Sequence, residues 1–204
     1  MLNDADCDDI VNPVNSINKQ LMNLSEPASK DIPLILASLA SGRKGLTSAF
    51  GETLAEAACV CLDERGHSSP TPMNITGKYS LNAGIDWSTP TDQAKRCWND
   101  DQVTTEQGAY GIAVLLVENC GLEVIERSKK KTGFDYWLGD PSSSNSLFQG
   151  LSRLEVSGIR NGDKATVESR VKQKLKQTKV SDGKLPAVVV VVEFGTPTVR
   201  LEER

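Results

Sequence analysis

The sequence feature that most constrains the fold is an uninterrupted apolar run near the end of the chain. Residues 185–194 read LPAVVVVVEF, with five consecutive valines at positions 188–192. β-Branched residues favour strands, and a strand without polar alternation is buried on both faces. The chain must therefore cover both sides of a sheet. This indicates an α/β (α+β) fold in which helices flank a mixed sheet.

Composition agrees with a folded protein and excludes some functions. The chain has 204 residues, which suits one core, and its 38% hydrophobic content argues against wholesale disorder. A formal net charge of −4 is incompatible with a surface that attracts nucleic acid everywhere, but it allows a local basic patch.

The cysteines and the N-terminus indicate the cellular setting. The five cysteines are odd in number and lack the spacing of a zinc site, so we interpret them as reduced thiols. The N-terminus does not have the pattern of a signal peptide. No apolar run approaches the roughly 18 residues that would cross a bilayer. We expect a cytoplasmic protein that does not contact membranes.

The first hundred residues predict a mainly helical region, 1–100, packed on a core at 101–204. Apolar spacing predicts helices over 12–24, 32–41 and 45–58, while the acidic first dozen residues resemble a frayed end. The sequence ACVCL at 58–62 either continues the third helix or begins a strand. The segment 63–76 is rich in turn residues, and Pro70 and Pro72 argue against a central strand there.

The second half predicts the order helix, strand, strand, strand, helix, strand. An almost wholly apolar helix over 104–120 should be buried. Three strands then follow over 122–128, 134–138 and 153–159, separated by the KKKTG turn and a serine-rich loop at 142–146. A helix over 161–179, with Asp163 as its N-cap, leads to the valine-rich strand.

Two carboxylates lie inside the predicted strands. Asp135 follows Phe134, and Glu155 follows Leu154. A charge in a half-buried strand costs free energy unless it is paired, hydrogen-bonded or bound to a metal. If the two strands are neighbours, the acids converge on one side of the sheet. Two close carboxylates suit a divalent cation such as Mg²⁺, or Mn²⁺, which activates water for phosphodiester hydrolysis.

The order of elements, with GFDYWL on the second strand and LEVSG on the third, resembles the PD-(D/E)xK nuclease superfamily and its restriction-endonuclease-like fold. The resemblance covers about residues 103–201. It implies that Asp135 is the metal-binding aspartate and that Glu155 is the acidic residue of the motif. It also implies that Glu106 is an additional metal ligand, and that the chain is a magnesium-dependent nuclease acting on DNA rather than RNA.

The sequence departs from this family at Ser157, which stands where the motif has its catalytic lysine. A hydroxyl cannot offset negative charge as a cation does. The relocated cation is then one of Arg170, Lys172 and Lys174, or one of the three lysines at 129–131. The predicted catalytic set comprises Asp135, Glu155, Ser157 and Lys172. The alternative is a catalytically inactive nuclease fold that binds nucleic acid or scaffolds a larger bacterial defence or restriction complex.

Simpler interpretations exist for each of these residues. Asp135 and Glu155 would be satisfied by a salt bridge to Arg153 or Arg160, or by exposure to solvent. Glutamate is favoured in a first helical turn, so Glu106 needs no site role. The KKKTG turn is of a kind that is usually just solvated.

The sequence also excludes two other classes of enzyme. His67 is the only histidine and no G-x-S-x-G motif is present, which argues against a Ser/His/Asp hydrolase. Neither G-x-x-x-x-G-K-[ST] nor G-x-G-x-x-G occurs, so any ATPase activity would come from a separate protein partner.

Overall fold

The computed structural model describes residues 31–78, 80–141, 151–181 and 185–204. The predicted helix over 12–24, the acidic first dozen residues and the serine-rich loop lie outside the described residues. The described part has eight strands in one mixed sheet flanked by helices, which confirms the predicted class. Within it, no helix has the length and apolar character needed to cross a membrane.

Strands and helices are interspersed along the chain. They are β1 (Ile32–Ile35), a 3-10 helix (Leu36–Ser41), α1 (Ser48–Glu64), β2 (Thr71–Gly77), β3 (Leu81–Asp86), α2 (Asp92–Cys97), α3 (Asp101–Asn119), β4 (Glu123–Arg127), β5 (Tyr136–Gly139), β6 (Ser152–Ile159), α4 (Lys164–Gln177), a second 3-10 helix (Thr178–Ser181), β7 (Ala187–Glu193) and β8 (Thr198–Glu203). From α3 to β7 the order is the predicted helix, strand, strand, strand, helix, strand, and β8 is an additional strand.

The strands lie in the order β1-β3-β2-β8-β7-β6-β5-β4. Three neighbouring pairs are parallel, namely β1 with β3, β2 with β8, and β6 with β7; the other four pairs are antiparallel. Helix α4 makes the crossover between β6 and β7. The sheet is thus continuous from β1 to β4.

The valine-rich strand β7 is buried along its whole length, as its sequence predicts. Val188, Val190 and Val192 belong to the larger apolar core together with residues of α1 and α3. Val189 and Val191 pack in a second cluster with Val167 and Val171 of α4 and with Ile159. Helices therefore cover both faces of the central strands, and α4 lies on the face opposite α3.

The prediction of a mainly helical N-terminal region is corrected, because β1, β2 and β3 join the same sheet. Residues 32–35 form a strand and not a helix: Ile32 and Leu34 are buried, whereas Pro33 and Ile35 are exposed. This alternation has the period of a strand, and β1 pairs with β3. Of the helix predicted over 32–41, only Leu36–Ser41 is helical, and it forms a 3-10 helix. Residues 58–62 continue α1.

Strand β2 corrects the prediction that Pro70 and Pro72 exclude a central strand. Pro70 precedes the strand, and Pro72 faces Gly84 of β3. The pairing of β2 with β8 covers only Asn74–Gly77, so at Pro72 the strand has a neighbour on one side. Proline is tolerated there because an edge does not require its missing N–H group.

Candidate active site

The sheet opens between β5 and β6, and the opening forms a cavity. The register joins β5 to β6 from Leu138 opposite Ser152 to Tyr136 opposite Leu154, and β6 then runs on to Ile159 beside β7. Helix α3 lies against this free part of β6. A Cβ atom at Gly158 would be 2.4 Å from the carbonyl oxygen of Thr105, so glycine permits the close approach. The resulting cavity measures about 760 Å³.

Asp135 lies immediately before β5, and hydrogen bonds of its backbone and of its carboxylate hold it. Its backbone N–H donates to the carbonyl oxygen of Leu154 at 2.8 Å. Its Oδ2 accepts from the backbone N–H of Val156 at 2.8 Å, and its Oδ1 accepts from the Tyr110 hydroxyl at 2.9 Å. The carboxylate thus accepts a hydrogen bond from a residue of β6 that lies beyond the part of β6 paired with β5. The backbone of β6 and helix α3 together fix its position.

Tyr110 links α3 to the site. Its hydroxyl also lies 3.2 Å from Oε1 of Glu106, one turn earlier on the helix. Burial, and then the negative charge of Asp135, raise the pKa of Tyr110, so it keeps its proton and remains a donor. A permanent donor between Glu106 and Asp135 holds the aspartate in place.

Glu155 is buried in the middle of β6, with 1% of its surface exposed. Its Oε1 accepts from Nζ of Lys174 at 2.6 Å and from Nε2 of Gln177 at 2.9 Å. Its Oε2 is also buried and has no hydrogen-bond partner among the described residues. Half of this carboxylate is therefore satisfied by α4, and the other half is buried beside a second acid without a donor among the described residues.

The pKa of Glu155 is raised to about 7. Burial is the main cause and the negative charge of Asp135 is the second, while the hydrogen bond and charge of Lys174 lower the pKa and offset part of the rise. The influence of Asp135 requires the two carboxyl groups to be close, as the sequence predicts. The two groups repel each other, and a cation bound to both would remove this repulsion.

The structure brings most of the predicted site residues together. Asp135, Glu155, Ser157 and Glu106 all line the cavity. The Ser157 hydroxyl accepts from Nη1 of Arg170 at 2.8 Å, so a guanidinium reaches the side chain two residues after Glu155. Polar side chains therefore follow one another where β6 faces α4. They are Glu155 and Ser157 of β6 and Arg170 of α4.

Of the two lysines proposed on this helix, Lys174 lies at the cavity and Lys172 does not. Lys172 is exposed on α4 and is not among the described residues that line the cavity, whereas Lys174 lines it and contacts Glu155. The helical spacing explains the difference. Arg170, Lys174 and Gln177 lie at i, i+4 and i+7 on one face of α4, and Lys172 lies away from that face. This spacing is visible in the sequence and identifies Gln177 as well.

The arginines that offered a simpler explanation have other roles. Arg153 donates to the carbonyl oxygens of Thr178, Ser181 and Leu185. Arg160 pairs with Glu64 on α1. The cation beside Glu155 is instead Lys174, which belongs to the cavity.

The carboxylates suit a divalent cation only as a pair. Across the described ranges, no group of three or more His, Cys, Asp and Glu side chains has the arrangement of a metal site. Glu106 lines the cavity but does not complete such a group with Asp135 and Glu155. The pair itself fits a hard cation, because both acids offer oxygen ligands and the buried Oε2 of Glu155 lacks any other partner among the described residues. Two protein carboxylates are a usual number for Mg²⁺, which keeps several waters.

No family model, curated protein or solved structure matches this chain.

Proposed function

We propose that the chain is a metal-dependent nuclease that hydrolyses phosphodiester bonds of DNA, built on a restriction-endonuclease-like core. The observation that carries the proposal is the convergence of Asp135, Glu155 and Lys174 in one cavity. The order helix, strand, strand, strand, helix, strand supports the choice of fold family. In this proposal Lys174, supplied from α4, replaces the lysine that the motif places at position 157.

Asp135 and Glu155 would hold the Mg²⁺ or Mn²⁺ ion. When bound, this ion supplies a polarised water and neutralises charge on the phosphate. The protein prepares for it by fixing Asp135 with Tyr110 and with the backbone of β6, and by leaving Oε2 of Glu155 without a donor among the described residues. An oxygen held in this way needs little reorganisation when a cation arrives.

Lys174 and Arg170 would act on the substrate. The Lys174 ammonium donates to Glu155, and its remaining N–H groups can orient a water or stabilise negative charge on a phosphate oxygen. Arg170 lies beside it and donates to Ser157, with further donors available for a second phosphate oxygen. The two cations of α4 would therefore balance the charge that develops during hydrolysis.

The test is a cleavage assay with plasmid and single-stranded DNA in Mg²⁺ or Mn²⁺. We expect D135N and E155Q to abolish cleavage and K174M to lower the rate by about 100-fold or more, because a preorganised donor is removed. K172M is the matched control, since it makes the same change on an exposed part of α4 and should retain full activity. Calorimetric titration with Mn²⁺ should give binding that D135N removes.

The proposal would be wrong if the wild type failed to cleave any of these substrates, or if K174M and K172M behaved alike. Circular dichroism and thermal melting of each variant would separate loss of chemistry from loss of folding.

A second candidate is an inactive nuclease-fold subunit that binds nucleic acid or serves as a scaffold in a larger bacterial defence complex. The observation that favours it is Ser157 at the motif position, together with a Lys174 already engaged by Glu155. This candidate predicts Mn²⁺-independent binding to DNA without cleavage. The same assay therefore decides between the two.

A further inference from the structure

A second cleft adjoins the active-site cavity. It has a volume of about 370 Å³, and its lining includes Arg127, the three lysines of residues 129–131, Asp135 and Gln177. Two of these residues, Asp135 and Gln177, also line the active-site cavity. The two spaces therefore meet at the metal-binding aspartate of the proposed site.

The two spaces have opposite charge. The active-site cavity is lined by four carboxylates and three basic side chains. The second cleft, which we call the basic cleft, is lined by one carboxylate, Asp135, and by Arg127 and the three lysines of residues 129–131. Across the described ranges none of these four cations has a carboxylate ion-pair partner. Their charge is available to an anion.

The turn that carries the lysines is preformed. Thr132 Oγ1 donates to the carbonyl oxygen of Lys129 at 2.8 Å, and the hydroxyls of Ser128 and Thr132 contact each other. Lys131 has a φ of 76° and Gly133 a φ of 84°, so the backbone is folded tightly. A Cβ atom at Gly133 would be 2.5 Å from the carbonyl oxygen of Gln177, so the turn packs directly on the end of α4.

Arg127 is also held in place. Its guanidinium carbon lies 5.7 Å from the ring centroids of Phe50, Tyr110 and Tyr136. Stacking against aromatic rings restrains the guanidinium while leaving its N–H groups free to donate. The backbone that carries the three lysines is therefore fixed by hydrogen bonds, and the guanidinium of Arg127 is fixed by aromatic rings.

We infer that the basic cleft binds the phosphodiester backbone of the polynucleotide flanking the bond at Asp135 and Glu155. This inference rests on the proposed function for the location of that bond. Successive phosphates carry one charge each, and a row of cations that begins at a site for phosphodiester hydrolysis matches such a chain. An acidic peptide would also match the positive charge of the basic cleft. It contains no phosphodiester bond, however, for the adjoining pair of carboxylates to act on.

The test measures binding of a fluorescein-labelled oligonucleotide by anisotropy in EDTA, single-stranded in one arm and duplex in the other. The variant K129Q/K130Q/K131Q is compared with K164Q/K172Q/K176Q, which removes three exposed lysines from α4 and gives the same net charge. The turn should survive, because its hydrogen bonds use Ser128, Thr132 and the backbone. Salt is varied from about 50 to 200 mM.

We expect the turn variant to bind at least about tenfold more weakly than the control variant, in the arm that contains the natural form of the substrate. Its salt dependence should be shallower by about 0.7 to 0.9 for each phosphate that the variant no longer neutralises. Equal binding by the two variants in both arms would overturn the inference. Displacement of the oligonucleotide by polyglutamate at equal charge concentration would also overturn it, because the surface would then bind any polyanion.

The same experiment separates this inference from the nuclease proposal. Binding of the wild type in EDTA does not depend on metal, so it is measured separately from cleavage of the same oligonucleotide in Mg²⁺. A wild type that binds through the three lysines but never cleaves would refute the nuclease and leave the basic cleft intact. If the wild type cleaves DNA but the two triple variants bind equally, the nuclease proposal stands and the inference about the basic cleft is overturned.

Discussion

Two buried glutamates on adjacent parallel strands differ in how their oxygens are used. Glu193 ends β7 with 2% of its surface exposed; its Oε1 accepts from the backbone N–H groups of Gly162 and Gly195, and its Oε2 from that of Thr196. Glu155 in β6 is equally buried, but only its Oε1 has donors among the described residues. Both oxygens of Glu193 therefore have hydrogen-bond donors, whereas one oxygen of Glu155 has none among the described residues.

The difference distinguishes a structural acid from one prepared for a ligand. Backbone N–H groups satisfy Glu193, and these hydrogen bonds tie the loop after β7 to the turn before α4. Glu155 faces side chains of α4 and a second carboxylate, an arrangement that does not minimise the free energy of the empty site. Burial alone would have placed both residues in one class, and the hydrogen-bond partners separate them.

The largest effect on stability should come from Glu193. E193A removes the acceptor of three backbone N–H groups near the core, and we expect the free energy of unfolding to fall by about 3 kcal/mol or more. E193Q keeps one carbonyl oxygen and should be destabilised roughly half as much. Urea denaturation of both variants measures this. A decrease smaller than that of an ordinary surface substitution would mean that Glu193 is not the structural acid of the pair.

Glu155 should instead make stability depend on pH. Its pKa rises from 4.5 to about 7 on folding, so between these values the folded state binds more protons than the unfolded state. The contribution of this residue to stability is therefore greatest below pH 4.5 and falls as the pH rises through about 7, by at most roughly 3 kcal/mol. The difference between unfolding curves of the wild type and of E155Q, measured at several pH values, isolates this residue.

The comparison of the two glutamates would be contradicted if the free energies of unfolding of the wild type and E155Q changed in parallel with pH. Ionisation of Glu155 would then cost no more free energy in the folded state than in the unfolded state. E193Q and E155Q should also have opposite effects on stability. E193Q should destabilise at neutral pH, whereas E155Q should be neutral or stabilising there while abolishing any cleavage.

The sequence predicts the strands and helices from α3 to β7 because each has a local signal of its own, whereas β8 is not predicted. The valine run, the apolar helix before β4 and the N-cap at Asp163 do not depend on distant contacts. In the first half the predicted helix over 45–58 is present as α1, but the strands are not predicted, for the opposite reason. β2 tolerates Pro72 only because β8 begins beside it at Asn74, and this pairing joins segments more than a hundred residues apart.

The candidate site divides in the same way. Alternation within short strands places Asp135 and Glu155 near each other, and the structure brings them into one cavity. The role of Tyr110 depends on where α3 crosses the open edge of β6, which no local pattern specifies. Lys174 continues the helical face of Arg170, which the sequence shows, but choosing it over Lys172 requires knowing which face of α4 meets β6.

Two tyrosines differ in the same property as the glutamates, but here the hydrogen-bonded group belongs to the candidate site. The Tyr110 hydroxyl donates to Asp135, whereas that of Tyr136 is buried without a partner among the described residues. Y110F should therefore cost about 1 to 2 kcal/mol, since it removes a hydrogen bond to a charged group, and should slow any cleavage by releasing Asp135. Y136F is the matched control and should be neutral or slightly stabilising, because it deletes an unsatisfied hydroxyl. Equal melting temperatures for the two variants would show that hydrogen-bond satisfaction does not separate functional from structural polar groups in this core.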